Sequence, residues 1–228
     1  MLWRCAVLVL SAAIVLGGAA LPAAAVNISY DFTNCGAITP PPGTCPGDTG
    51  TPTLTYTVSG FPLTVNGFNS LGPGTPSNNL FIKTAGPGET GIGLSGQPQS
   101  EIQPNTFIEL DTRKLPAGTG TLSIGSVQSG ESFKVCLGDT SGTFGSANCS
   151  PVITGPFPPN DITSLSVPFN QSTDPFVDIT AVGPHDDLPD DVLLLNATDE
   201  IPPVPEPSTL ALLLTGAAGL GFARKQKK

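Results

Sequence analysis

The sequence is poor in the residues from which most catalytic and nucleic-acid-binding sites are built. One histidine, His185, serves the whole chain, and a serine or cysteine hydrolase needs a base beside its nucleophile. His185 stands between Pro184 and Asp186 in an acidic loop, and no G-x-S-x-G occurs, so hydrolase chemistry finds little support. The single tryptophan, Trp3, falls in the N-terminal leader, which leaves Tyr30 and Tyr56 as the only other rings with a polar handle. Sugar-binding platforms favour such rings, so both a glycosidase and a lectin of the stacking type are disfavoured. Basic residues are as scarce. Between residues 26 and 223 only Lys83, Arg113, Lys114 and Lys134 face 18 acidic residues, a balance of −14 against −9 for the whole chain. Such a body repels phosphate backbones and anionic lipid, which excludes nucleic acid as a partner.

Helical periodicity is also absent between residues 26 and 203. Instead, short β-branched or aromatic runs alternate with breakers, glycine and proline together making up about 23% of the chain. The pattern predicts strands at Ile28–Thr33, Thr53–Ser59, Leu80–Thr84, Gly91–Ser95, Phe107–Asp111, Gly120–Ser126, Glu131–Leu137, Ile162–Val167, Phe176–Val182 and Val192–Asn196. Many short strands separated by turns point to an all-β fold, a single β-sandwich or jelly-roll-like domain over residues 26–203. That length suits one core rather than two.

The two ends differ from this body. In residues 1–25, Arg4 precedes an apolar run, Cys5 to Gly17, and Pro22 precedes Ala23-Ala24-Ala25, an A-x-A cleavage site. This is the pattern of a secretory signal peptide cut before Val26, which implies the Sec translocon and signal peptidase as partners. Cys5 lies at the start of the apolar run rather than at its end, which argues against a lipid anchor. At the other end, residues 204–228 carry Pro205-Glu206-Pro207, then an apolar stretch from Leu210 to Ala223, then Arg224, Lys225, Lys227 and Lys228. Proline holds the triplet out of helix. From Thr209 to Ala223 a helix spans roughly 22 Å, short for a hydrocarbon core of about 30 Å, and the basic end fits the cytoplasmic side.

This ordered triplet, apolar run and basic stop resembles the PEP-CTERM sorting signal of Gram-negative bacteria. The resemblance implies an exosortase-type membrane enzyme that acts near Pro205, Glu206 and Pro207, with a transmembrane helix held in the inner membrane during transit. A second stretch is similar to the central pattern of PEP-CTERM surface proteins. It runs Gly91-Ile-Gly93-Leu94, then Glu101-Ile102-Gln103, then Phe107-Ile-Glu109-Leu-Asp111, with Phe176-Val177-Asp178-Ile179 later in the chain. Gln103 stands where that pattern usually has an aspartate.

Once the leader is removed four cysteines remain, an even number in an exported chain, which implies disulfides. Local pairing, Cys35–Cys45 and Cys136–Cys149, closes two short loops. Zinc is disfavoured, because no C-x-x-C occurs and His185 is remote. Gly91 to Gly96 spells the letters of a dinucleotide loop, but Gln97-Pro98 follow where a helix should start. The remaining candidate is Asp186, Asp187, Asp190 and Asp191, whose carboxylates could supply oxygen ligands to calcium, although runs of like charge more often form a solvated loop.

The reading that follows is a non-enzymatic, disulfide-stapled β-sandwich at the cell surface or in the extracellular matrix. The family resemblance implies association with exopolysaccharide and biofilm. The alternative is a calcium-dependent carbohydrate-binding module, and a secreted hydrolase comes third.

Overall fold

The structure is a computed structural model. It describes residues 26–39, 45–85, 89–145, 148–155, 162–169, 173–183 and 191–201. The predicted signal peptide, the predicted membrane helix, the Pro-Glu-Pro triplet and the basic stop all lie outside these residues, as do His185, Asp186, Asp187 and Asp190. Among the described residues no helix is long and apolar enough to cross a membrane.

Fifteen strands are described, in two antiparallel sheets. They are β1 (Val26–Asp31), β2 (Ile38–Thr39), β3 (Gly47–Asp48), β4 (Thr53–Val58), β5 (Phe61–Phe68), β6 (Leu80–Thr84), β7 (Thr90–Leu94) and β8 (Phe107–Asp111). The second half holds β9 (Gly118–Gly125), β10 (Ser132–Gly138), β11 (Asn148–Cys149), β12 (Ile153–Thr154), β13 (Thr163–Phe169), β14 (Phe176–Ala181) and β15 (Leu193–Ile201). One sheet runs β13-β9-β15-β7-β6-β3, with β1 also paired to β15. The other runs β11-β10-β14-β8-β5-β4-β2, with β12 also paired to β10. All ten predicted strands are present, with ends shifted by a few residues.

Alternation decides which face of each strand is buried. The first sheet contributes Ile28, Tyr30, Leu80, Ile82, Ile92, Leu94, Leu122, Ile124 and Phe169 to the core. The second contributes Leu54, Tyr56, Leu63, Val65, Ile108, Leu110, Phe133, Val177 and Ile179. Both tyrosines are core anchors. Tyr30 donates its hydroxyl to the Phe61 carbonyl at 3.2 Å, and Tyr56 donates to the Phe32 carbonyl at 3.2 Å. Tyr56 also meets Phe32 edge-on, with ring centroids 5.1 Å apart. Neither ring is available as a sugar platform.

The strand β5 is the main element that the sequence pattern conceals, because Pro62 and Gly67 look like breakers. Pro62 is tolerated because β8 pairs with β5 only from Thr64 onward, so at Pro62 the strand has β4 alone as a neighbour. Gly67 is required because a Cβ there would meet the Asn78 carbonyl and the Leu94 and Leu80 side chains. Ser59 and Gly60 link β4 to β5 with φ of 52° and 85°, the positive pair of a two-residue hairpin.

Both predicted disulfides are present. Cys35–Cys45 joins Cα atoms 6.1 Å apart, and Cys136–Cys149 ties β10 to β11 with Cα atoms 3.9 Å apart.

Candidate functional site

Two buried acidic centres stand out among the described residues, and Asp191, the one described residue of the Asp186–Asp191 run, lies in one of them. Asp191 is fully buried just before β15. It accepts from Gln99 Nε2 at 3.2 Å on Oδ2, while Oδ1 has no donor among the described residues. Its carboxyl lies within hydrogen-bonding reach of Glu101, which is also fully buried and carries an unpartnered Oε2. Backbone geometry makes the encounter firm. Ile102 N–H donates to the Val192 carbonyl at 2.9 Å and Val192 N–H donates back at 3.1 Å, so the residues adjoining both acids are bridged.

Around this pair the charges are uneven. Lys83 on β6 donates to Glu101 Oε1 and to Glu89 Oε2, the latter at 2.6 Å. Ser126 donates to Glu89 Oε1 at 3.0 Å. Burial works against the Lys83 charge, but its bonds to Glu101 and Glu89 hold the ammonium above its usual range. Burial likewise opposes the Glu89 charge, and Lys83 and Ser126 outweigh it, so Glu89 stays below the usual carboxylate range. Glu101 behaves oppositely. Burial, reinforced by Asp191, pushes its carboxyl up to about 8. Asp191 is raised to about 6, first by burial and then by Glu131, whose side chain is in contact with it. Gln103, the position where an aspartate is usual in the resembling pattern, is buried here and bonds to Asp191.

The second centre is on the outer face of the other sheet. Glu109 on β8 and Asp178 on β14 are direct cross-strand neighbours, and both are fully buried. The segment following β10 covers them. Glu109 accepts from Asn66 Nδ2 at 3.0 Å, Ser141 Oγ at 2.7 Å and Gly142 N–H at 2.7 Å. Asp178 accepts from Gly145 N–H at 2.8 Å on Oδ2, leaving Oδ1 unpartnered. Phe144 closes the cover by meeting Phe107 edge-on at 5.6 Å, and Phe107 stacks on Phe68 at 4.4 Å. Gly142 has φ of +77°, and a side chain there would collide with the Gly74 carbonyl. The Cys136–Cys149 bridge pins the base of this strap. Burial and the Glu109 charge raise the Asp178 carboxyl to about 8. With every oxygen of Glu109 engaged, this centre is a structural lock.

The sequence pattern flags Glu101, Glu109 and Asp178 individually but not their partners. Glu101 and Asp191 come from opposite halves of the chain, and the pairing of β15 with β7 and the Ile102–Val192 bridge bring them together. Their one sequence-level signal is that both adjoin the ends of predicted apolar segments, too common a circumstance to single them out.

No curated protein matches the chain. A profile of the PEP-CTERM protein-sorting motif matches residues 203–225, the segment that begins directly beyond β15. This protein therefore carries a PEP-CTERM protein-sorting motif at its C-terminus and is an exported protein that an exosortase sorts.

Proposed function

We propose that the protein is a non-enzymatic component of the cell surface or extracellular matrix, associated with exopolysaccharide and biofilm. Export begins with the signal peptide at residues 1–25, through the Sec translocon and signal peptidase. The observation that carries the reading is the joining of a sandwich to a sorting motif with almost no linker. Glu206 is five residues beyond Ile201, so at most about 17 Å of extended chain separates it from β15. An enzyme acting at the triplet thus works against a domain built to persist outside the cell, stapled by two disulfides and locked by a strap over two buried acids.

The acidic centres support a structural role over a catalytic one, since Glu101, Asp191, Glu109 and Asp178 are all fully buried. A general acid or base must reach its substrate within hydrogen-bonding distance. Fractionation of a producing strain tests the proposal. The processed protein should sediment with the exopolysaccharide, and deleting polymer synthesis should shift most of it into the medium. An unchanged distribution between the two strains would sink the exopolysaccharide association.

A further inference from the structure

We propose that Glu101 and Asp191 form a site for one hard divalent cation of the calcium type at the end of the sandwich, with Glu131 as the third acidic ligand. This inference stands apart from the exopolysaccharide reading and rests on the arrangement of the acids. Two fully buried carboxyl groups face each other, and each has one oxygen, Glu101 Oε2 and Asp191 Oδ1, that no donor reaches among the described residues apart from a proton the pair itself shares. Buried polar groups are ordinarily satisfied, and a buried carboxylate without a partner is costly. The Lys83 ammonium is directed at Glu89 and at the other oxygen of Glu101 rather than at these two atoms.

Three further features point to a cation at this place. The acids are in contact, since the Asp191 side chain reaches both Glu101 and Glu131. A single proton can bridge only one of those two contacts, whereas one divalent cation serves all three groups. The available ligands are carboxylate and amide oxygens, with no sulfur or imidazole among the residues named, which is the donor set of a hard ion. Finally, the frame is rigid. The Ile102–Val192 bridge fixes the backbone beside both ligands before anything binds, which is what positions first ligands accurately.

As they stand, no three His, Cys, Asp or Glu side chains among the described residues close around one point. Seating the ion therefore requires the Glu131 side chain to swing inward from its bond with the Gln128 N–H. A flexible, oxygen-rich shell of this kind favours calcium over magnesium, which demands near-ideal octahedral geometry.

The experiment uses the full-length chain in detergent, stripped with chelator and then dialysed against millimolar calcium chloride at neutral pH. Elemental mass spectrometry should find one calcium per chain, and the melting temperature should rise by roughly 5 °C or more. Glu101→Gln and Asp191→Asn, which keep side-chain size, should retain no calcium and show no calcium-dependent shift. The exposed Asp139→Asn should behave as the wild type. Should either buried-site variant fail to fold, the wild-type stoichiometry still decides, because a wild-type chain that retains no calcium overturns the proposal. Calcium retained by Asp191→Asn, or lost only when Asp186, Asp187 and Asp190 are replaced together, also overturns it by locating the ion elsewhere.

Discussion

Glu206→Ala should leave the protein in the inner membrane as a precursor that still carries its tail. The motif at residues 203–225 puts Glu206, flanked by two prolines, just before an apolar run that is short for a permanent span. The basic residues Arg224, Lys225, Lys227 and Lys228 are difficult to translocate, so they hold the run in place while the triplet is presented at the outer face. Without the Glu206 carboxylate the membrane segment still stops transfer, but the processing enzyme loses its one charged landmark between the two prolines. Loss of processing should be nearly complete. Deleting Leu210 to Lys228 should have the opposite phenotype, export of the domain into the periplasm without retention or sorting. Intact-mass measurement of the surface fraction decides between these outcomes. A mature wild-type protein that still ends in Arg224 to Lys228 would show the segment to be a permanent anchor and would refute processing at the triplet.

Asp178→Asn should make the protein more stable at mildly alkaline pH and should flatten part of its pH dependence. The native Asp178 carboxyl titrates at about 8, because it is buried and lies beside Glu109 on the neighbouring strand. In the unfolded chain it titrates near the ordinary value of about 4. Between those two values the folded protein holds a proton that the unfolded chain has released. Stability must therefore fall as pH rises through that window, and level off above about 8. At about 1.4 kcal/mol per pH unit, Asp178 costs roughly 4 kcal/mol between pH 5 and pH 8. Asparagine removes the titration, keeps an acceptor for the Gly145 N–H, and offers an amide hydrogen toward Glu109. Asp199 keeps its contribution in the variant, being raised by burial and by Glu200 and having no partner for either oxygen. Chemical denaturation across pH is the measurement. If the variant and wild-type curves run parallel, or the variant is the weaker at pH 8, Asp178 is not neutral in the folded protein.

How much of this was legible beforehand depends on how local each feature is. Ten strands could be read because period-2 alternation is written into each segment. The two disulfides could be read because short loops rich in glycine, proline, serine and threonine favour local pairing. The strand β5 was hidden by Pro62, since nothing in the sequence says that its neighbour β8 stops at Thr64. The far end of β15 was hidden too, because Asp199 and Glu200 look like strand breakers. In fact Asp199 points inward beside Tyr30, whose hydroxyl is held above the usual range first by burial and then by the Asp199 charge. The acidic run 186–191 reads as one surface patch, yet Asp191 is buried. A run of like residues gives no sign that its last member crosses into the interior. The Glu101–Asp191 pair was illegible because the contact depends on sheet order, and sheet order is a non-local property.

The pairing of β1 with β15 imposes a schedule on the protein's life during export. Val26 lies opposite Ile201, so in a chain exported from its N-terminal end the first strand to emerge finds its partner only when the last has followed. β15 also separates β9 from β7, which makes it the strand on which that sheet waits. The other sheet can assemble sooner, since β4, β5, β8, β10 and β14 all precede it in the chain. Until Ile201 emerges, that sheet is split into a β13–β9 pair and a β7-β6-β3 ribbon, and the open edges of β9, β7 and β1 invite aggregation and proteolysis. The apolar run reaches the membrane only after β15 has been released, so arrest at the sorting signal coincides with completion of the fold. Pulse-labelled chains should accordingly gain protease resistance as the tail engages the membrane and not before. Resistance acquired before β15 emerges would contradict that order. Quality control is thereby built into chain order: a domain able to present Pro205-Glu206-Pro207 for sorting is one whose final strand is already available to close it.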